Sequence, residues 1–137
     1  MTSHFQRNVV PLALVLLVVL SATSTVSAGW GWPRHTVVKI RNLLKDDAVS
    51  LKLHCQSKDD DLGEHSLASR ESYSFEFRTN IMKTTLFFCR FEFENRVQYF
   101  DIFRNSRDDC KSCFWDIVEE GPCLWGIDGV CYQWNKD

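Results

Sequence analysis

Apolar and polar residues alternate with a period of two through much of this chain, and this pattern constrains the fold more than any other feature. In residues 48–55 (AVSLKLHC), every second residue is apolar from Val49 to Cys55. Successive side chains of a strand point to opposite faces of a sheet, so the period predicts strands with one buried face. Similar alternation, or a similar content of branched and aromatic residues, occurs in segments 36–44, 72–78, 84–93, 96–104, 112–119 and 129–134.

Short polar stretches separate these segments. They lie at residues 45–47 (KDD), 94–95 (EN), 105–109 (NSRDD) and 120–122 (EGP). Asp, Asn, Gly and Pro favour turns, and no stretch here has the spacing of apolar residues that an amphipathic helix requires. We therefore predict an all-β fold, a small disulfide-stapled antiparallel β-sandwich of about seven to eight strands.

Six cysteines follow residue 54: Cys55, Cys89, Cys110, Cys113, Cys123 and Cys131. An even number in a small secreted chain predicts three disulfides. Three of the six share the apolar side of their strands, so we expect their sulfur atoms to point into the core: Cys55, Cys89 and Cys113. A local Cys123–Cys131 bridge fits the short hairpin-like stretch between them, but many pairings are open to six cysteines and the sequence does not choose.

Residues 1–28 have the pattern of a secretory signal peptide. Arg7 precedes an apolar run at 9–20 (VVPLALVLLVVL), and small residues lead to Ala28. A spanning helix needs about 20 apolar residues, so the run is too short for an anchor. We expect cleavage after Ala28, which leaves residues 29–137 as one secreted, monomeric domain without membrane insertion. The net charge of −2 argues against a nucleic-acid partner.

Segment 54–65 (HCQSKDDDLGEH) contains residue types that bind metals or act in catalysis. Counting from Asp59, a calcium-binding EF-hand would need glycine at the sixth position and glutamate at the twelfth, where this chain has Glu64 and Arg70. A zinc site is disfavoured because His54 and Cys55 point to opposite faces of a strand. A hydrolase built on His65 and the aspartates is an alternative, but no set of nucleophile, base and orienting residue accompanies it. We therefore predict a protein that is not an enzyme and has no metal or other cofactor.

Tryptophans near both ends of residues 29–137 support a second alternative. Exposed indole rings on a β-sandwich can stack on sugars, so the chain could be a carbohydrate-binding module of the cell wall. The candidate side chains are Trp30, Trp32, Trp125 and Trp134. Trp115, in contrast, lies on the apolar side of its segment and is expected in the core.

Five stretches occur in an order and spacing typical of one family. They are LKLHCQSKDDDLGEHSL at 51–67, YSFEF at 73–77, TTLFFCRFEF at 84–93, FDIFRNSRDDCKSCFWDIVEEGPC at 100–123, and CYQWN at 131–135. Together they resemble the plant self-incompatibility protein family, the S-protein homologues, over about residues 36–134. Phe75 stands where the family usually has tryptophan, which keeps an aromatic residue at that position.

The resemblance implies a secreted plant β-sandwich of a family that is not known for enzymatic activity. Its founding members are ligands of a pollen membrane protein in the rejection of self pollen. We accordingly expect an extracellular ligand for a plasma-membrane receptor in cell-to-cell signalling, in self-incompatibility, development or defence. The polar loops 57–66 and 104–112 are the predicted contact regions, because binding residues concentrate on loops over a rigid scaffold. The residues predicted to contact the partner are Asp59, Asp60, Asp61, His65, Arg107 and Asp108.

Overall fold

Eight strands make up most of the described chain. The structure, a computed structural model, describes residues 32–126 and 129–136, and no helix occurs in these ranges. The strands are β1 (His35–Asn42), β2 (Leu51–Gln56), β3 (Asp61–Leu67), β4 (Ser72–Arg78), β5 (Leu86–Phe93), β6 (Arg96–Arg104), β7 (Ser112–Val118) and β8 (Gly121–Leu124). The predicted signal peptide, residues 1–28, lies outside the described residues and stays a prediction, as does the domain boundary at residue 29.

The strands form two four-stranded sheets that face each other across one core. Sheet A has the order β4-β1-β7-β8, and sheet B has the order β3-β2-β5-β6. The predicted all-β sandwich is confirmed. One strand pair differs from the antiparallel prediction, because β1 and β7 run parallel with Val37 opposite Ser112. β6 ends at the same end of the sandwich where β1 begins. β7 therefore starts beside the first residues of β1 and runs in the same direction.

Three further details differ from the sequence prediction. β3 was predicted as part of a loop, and the first residues of β8 were predicted as a turn. Segment 129–134 is not a strand, since only Cys131 forms an isolated bridge, with Cys123. β3 and β8 form through pairing with β2 and β7, because such short strands have little alternation of their own.

The core lies between the inward faces of the two sheets. Sheet A contributes Val38 and Ile40 from β1 and Trp115 and Ile117 from β7, all fully buried or nearly so. Sheet B contributes mainly leucine, phenylalanine and cysteine, among them Leu51, Leu53, Cys55, Phe87, Cys89, Phe91, Phe100 and Ile102. The predicted core position of Trp115 is confirmed, and the alternate residues of β1 and β7 form the outward face of sheet A.

Three disulfides cross-link this framework. Cys55 and Cys89 lie directly opposite each other on β2 and β5, and both are fully buried. Cys123 joins Cys131, the local pair considered from the sequence, and connects β8 to the C-terminal segment. The remaining bridge, Cys110–Cys113, spans only three residues at the entry to β7. The first bridge thus reinforces the pairing of β2 with β5 inside the core, while the other two fix segments outside the central strands.

Candidate functional site

Three connections meet at one end of the sandwich, which we call the loop end: residues 57–60, 79–85 and 105–111. The strand register places them together. Gln56, the last residue of β2, lies opposite Phe88 near the start of β5. Leu86 at the start of β5 lies opposite Arg104 at the end of β6. The loop end therefore gathers segments that are far apart in the sequence, including both of the loop regions predicted to contact a partner.

Residues 57–60 form a tight turn at the tip of the β2–β3 hairpin. The backbone N–H of Ser57 donates to the carbonyl of Asp60 at 2.7 Å, and the N–H of Asp60 donates to the Ser57 hydroxyl at 3.1 Å. Asp59 and Asp60 are exposed, as expected for residues available to a partner. The turn needs only backbone and hydroxyl groups to close, so these two carboxylates are not used in holding it.

Asp61 belongs to β3 rather than to the loop. Its Oδ1 accepts a hydrogen bond from the Gly63 N–H at 2.9 Å and lies 2.5 Å from His54 Nε2. The hydrogen bond from Gly63 has the larger effect and that from His54 the smaller one, and together they lower the pKa of the Asp61 carboxyl below its ordinary value. The positive φ of 77° at Gly63 suits glycine and lets its N–H turn back to Asp61.

His65 also lies within β3, so the predicted loop 57–66 was too long. Its ring stacks on Tyr73 with the ring centroids 3.9 Å apart, and its Nε2 is 2.9 Å from the carbonyl oxygen of Leu62. Burial raises the pKa of Tyr73. His65 therefore joins the edges of the two sheets through β3 and β4, and it does not lie at the loop end with Asp59.

The β4–β5 connection, residues 79–85, presents apolar side chains that the sequence reasoning did not identify as candidates. The Asn80 side chain organises it: Nδ2 donates to Thr84 Oγ1, and Oδ1 accepts from the Thr84 N–H, both at 2.9 Å. At the tip Met82 is 61% exposed, and Ile81 is also exposed. The sequence signal for this surface was the pair of large apolar residues between Asn80 and Lys83, because a turn that only reverses the chain is usually polar.

A cleft of about 760 Å³ separates residues 57–60 from the β4–β5 connection. Its lining includes Asp59, Asp60, Phe77 and Phe87. A concave surface with charged residues on one wall and aromatic residues among its lining can take up a side chain of a protein partner.

Arg107 and Asp108 are largely buried, unlike the exposed loop residues expected from the sequence, and a role for them in partner binding stays a prediction. The Asp108 carboxylate is 2% exposed and pairs with Arg107 at 2.8 Å. The Arg107 guanidinium lies over three aromatic rings, with its Cζ 4.8 Å from the Phe100 centroid, 5.0 Å from Tyr132 and 5.2 Å from Trp115. This polar pair fills a gap at the edge of the core, which the polar composition of the loop did not reveal.

The next residue, Asp109, remains available in the same connection. Its side chain is 96% exposed and pairs with Arg34 at 2.6 Å. Asn105 and Thr85 tie this connection to the β4–β5 connection through two hydrogen bonds of 3.0 and 3.1 Å. The exposed side chains of the loop end thus include Asp59, Asp60, Ile81, Met82 and Asp109, together with the lysines at positions 58 and 83.

Known proteins resemble this chain in sequence. Residues 37–134 match the family described as plant self-incompatibility protein S1. The chain belongs to this family. S-protein homolog 3 of Arabidopsis thaliana is 39% identical over 140 residues, covering 95% of this chain and 92% of that protein. S-protein homolog 4 of the same plant is 40% identical over 144 residues, covering 94% and 93%. The predicted family resemblance is confirmed.

A solved structure shares the fold of this S1-family chain. It is described as a structure of SPH (self-incompatibility protein homologue) proteins, a widespread family of small, highly stable, secreted proteins from plants. The TM-score is 0.56, and the match covers 76% of this chain and 97% of that one at 12% identity. At this identity the likeness supports the sandwich architecture alone.

The tryptophans of this S1-family chain lie in different environments. Trp134 packs against Phe91 and Phe93, and its Nε1–H donates to the carbonyl of Glu119 at 3.0 Å, so it is not free for stacking on a sugar. Trp32 and Trp125 are exposed, whereas Trp30 lies outside the described residues. Among the described candidates for carbohydrate binding, Trp125 lines a cleft.

Neither a metal cluster nor a spanning helix is found in the part of this S1-family chain that the structure describes. Within residues 32–126 and 129–136, no group of three or more His, Cys, Asp or Glu side chains is arranged to hold an ion. Over the same ranges, no helix has the length and apolar character required to cross a membrane. All six cysteines are in disulfides.

Proposed function

We propose that this S1-family protein is secreted and acts without catalysis as an extracellular ligand, presenting its loop end to a plasma-membrane receptor. The observation that carries the proposal is the exposure of Ile81 and Met82 beside the carboxylates of Asp59, Asp60 and Asp109. Apolar anchors beside charged groups are typical of protein interfaces, in which a few buried side chains supply most of the binding energy. The receptor would act in pollen recognition, development or defence.

The cross-linked scaffold supports this proposal. Receptor ligands that hold their loops in one conformation lose less conformational entropy on binding. Here the loop end is anchored by Cys55–Cys89 at β2 and β5 and by Cys110–Cys113 before β7. Disulfides persist in oxidising compartments, which fits export guided by the predicted signal peptide and the secreted solved relative.

The proposal is tested by measuring binding of the purified, oxidised, fluorescently labelled protein to plant protoplasts. The variant Ile81→Asp/Met82→Asp places charges where the apolar anchors would be buried. We expect its saturable binding to weaken by at least about tenfold, because each anchor contributes roughly 1 kcal/mol or more. The charge reversal Asp59→Lys/Asp60→Lys should also weaken binding, by a smaller factor.

Val97→Asp provides a matched control. Val97 is an exposed apolar residue on β6 at the opposite end of that strand from Arg104, so its substitution should leave binding unchanged. Protease treatment of the protoplasts should abolish binding if the receptor is a protein. Equal binding of the Ile81→Asp/Met82→Asp variant and the unmodified protein would overturn the assignment of the loop end.

A further inference from the structure

A second cleft lies on the outward face of sheet A, on a different surface from the loop end. We call it the outer cleft and define it by Lys39, Arg41, Arg70, Phe114, Asp116 and Trp125; its volume is about 380 Å³. The register of β1 against β7 forms the outer cleft, since Lys39 lies opposite Phe114 and Arg41 lies opposite Asp116. These four positions alternate with the buried residues of β1 and β7, so all four side chains face outward.

The outer cleft carries an excess of positive charge. Arg41 is paired with Asp116 through two bonds of 2.7 and 3.0 Å, and this bonding raises the pKa of Arg41 above its ordinary value. Neither Lys39 nor Arg70 takes part in any of the salt bridges found among the described residues. The whole chain has a net charge of −2, so this local excess points to a negatively charged ligand.

The cleft also contains an aromatic platform. Trp125 is 60% exposed, and Phe114 is exposed beside it. The Trp125 ring is held in place, because its Nε1–H donates to Asp116 Oδ2 and its backbone N–H donates to the Phe114 carbonyl at 2.8 Å. The Arg41 guanidinium lies 5.3 Å from the ring centroid. A fixed, exposed indole is costly to leave in water and is suited to stacking against the apolar face of a flat ligand.

We propose that the outer cleft binds an acidic saccharide, a sugar chain whose rings carry carboxylates. The C–H face of one pyranose ring packs on Trp125, and a ring carboxylate is paired by Lys39 or Arg70. Asp116 is buried and already accepts hydrogen bonds from Arg41 and Trp125, so its carboxylate orients these two side chains and is not a ligand contact. An acidic peptide would satisfy the cations, but its carboxylates lie on flexible side chains, whereas a uronic acid ring holds a carboxylate and a C–H face for Trp125 in one rigid unit.

The direct test is isothermal titration calorimetry of the oxidised protein with trigalacturonate. Its methyl ester is the matched neutral ligand, since it keeps the rings and hydroxyls and loses only the charges. We expect trigalacturonate to bind at least about tenfold more tightly than the ester, which corresponds to about 1.4 kcal/mol. Trp125→Ala should weaken trigalacturonate binding by about tenfold, and Arg70→Ala by roughly fivefold.

Two control variants locate the site. Trp32→Ala removes another exposed indole, and Lys83→Ala removes a cation at the loop end; both should leave the affinity unchanged. The ¹H–¹⁵N signal of the Trp125 indole should shift during the titration, which gives a readout that does not depend on any variant folding. Absence of binding, equal affinity for the ester, or an unmoved Trp125 signal would overturn the proposal. Receptor binding through the loop end would be unaffected by any of these results.

Discussion

At the residue scale, Arg107 shows how a charged side chain can serve as a core element. Its guanidinium covers Phe100, Trp115 and Tyr132, while its nitrogens bond Asp108 and the carbonyl oxygen of Asp101, the latter at 2.6 Å. A planar guanidinium suits this position because it stacks on rings with its face and donates hydrogen bonds from its edge. The pair joins the β6–β7 connection to the aromatic core.

Replacing Arg107 with alanine should destabilise the protein by about 3 kcal/mol, because the buried Asp108 carboxylate would lose its cation and keep only the hydrogen bond from the Arg104 N–H. Urea unfolding followed by tryptophan fluorescence measures the change. Arg34→Ala is the matched control, since it also removes an arginine from an ion pair, but the partner Asp109 is exposed; its cost should stay below about 1 kcal/mol. Similar small losses in both variants would contradict the structural role given to Arg107.

The carboxyl group of Asp61 should titrate below its ordinary pKa of 3.8. Since the folded pKa is lowered, the stabilising contribution is present above the unfolded value and disappears as the pH falls through the lower folded value. Carboxyl ¹³C NMR as a function of pH measures the midpoint. His54→Ala should raise the midpoint only in part, because the Gly63 N–H continues to donate to Asp61. A midpoint at or above 3.8 would show that these hydrogen bonds do not form in solution.

At the element scale, β8 depends on the absence of a side chain at its first residue. Gly121 has a φ of 147°, and a Cβ there would lie 2.0 Å from the carbonyl oxygen of Tyr132. The Tyr132 N–H donates to the Pro122 carbonyl at 2.8 Å, so the C-terminal segment is held directly against this strand. The close approach places Tyr132 against the aromatic cluster that contains Trp115.

Gly121→Ala should therefore displace the C-terminal segment and lower the free energy of unfolding by about 2 kcal/mol or more. Thermal unfolding by circular dichroism measures the loss. Gly126→Ala supplies the comparison, since a Cβ at Gly126 meets no atom within 4 Å. Its effect should stay within about 0.5 kcal/mol. If the two variants unfold at the same temperature, the close contact does not constrain β8.

The sequence predicted strands well where one face is buried and poorly where pairing alone holds them. β1, β2 and β5 alternate between apolar and polar residues, so their periodicity is sufficient. β3 (DLGEHSL) is an edge strand in which only Leu67 is buried, and its position depends on pairing with β2. The parallel pairing of β1 with β7 is likewise invisible to local patterns, because it joins distant segments.

The candidate surfaces also differ in whether local sequence patterns or strand pairing place their residues. The exposure of Asp59 and Asp60 could be predicted, because a run of charges in a turn favours solvent. The outer cleft could not be predicted from the sequence. Only the register of β1 against β7 brings its residues together, namely Lys39, Arg41, Phe114 and Asp116. Arg107 was assigned to the surface because a polar loop gives no sign of the aromatic rings that the fold brings over it.

At the scale of the whole molecule, the three disulfides should contribute unequally to stability. In the chain-entropy account, a bridge stabilises more when it closes a longer loop of the unfolded chain. The separations are 34 residues for Cys55–Cys89, 8 for Cys123–Cys131 and 3 for Cys110–Cys113. Double alanine substitutions should cost roughly 4, 2.5 and 1.5 kcal/mol in that order. Guanidinium unfolding of the three variants tests the ranking, and equal losses would contradict it.

The central position of β1 in sheet A has a consequence for how the protein is made. Among the described strands β1 is synthesised first, yet its parallel partner β7 comes much later: Arg41 and Asp116 are 75 residues apart. Until β7 emerges, the nascent chain keeps one edge of β1 open and the apolar face of sheet A incomplete. Unpaired edges and late, long-range contacts slow folding and favour association between chains. Sheet A therefore closes only after β7 has been synthesised.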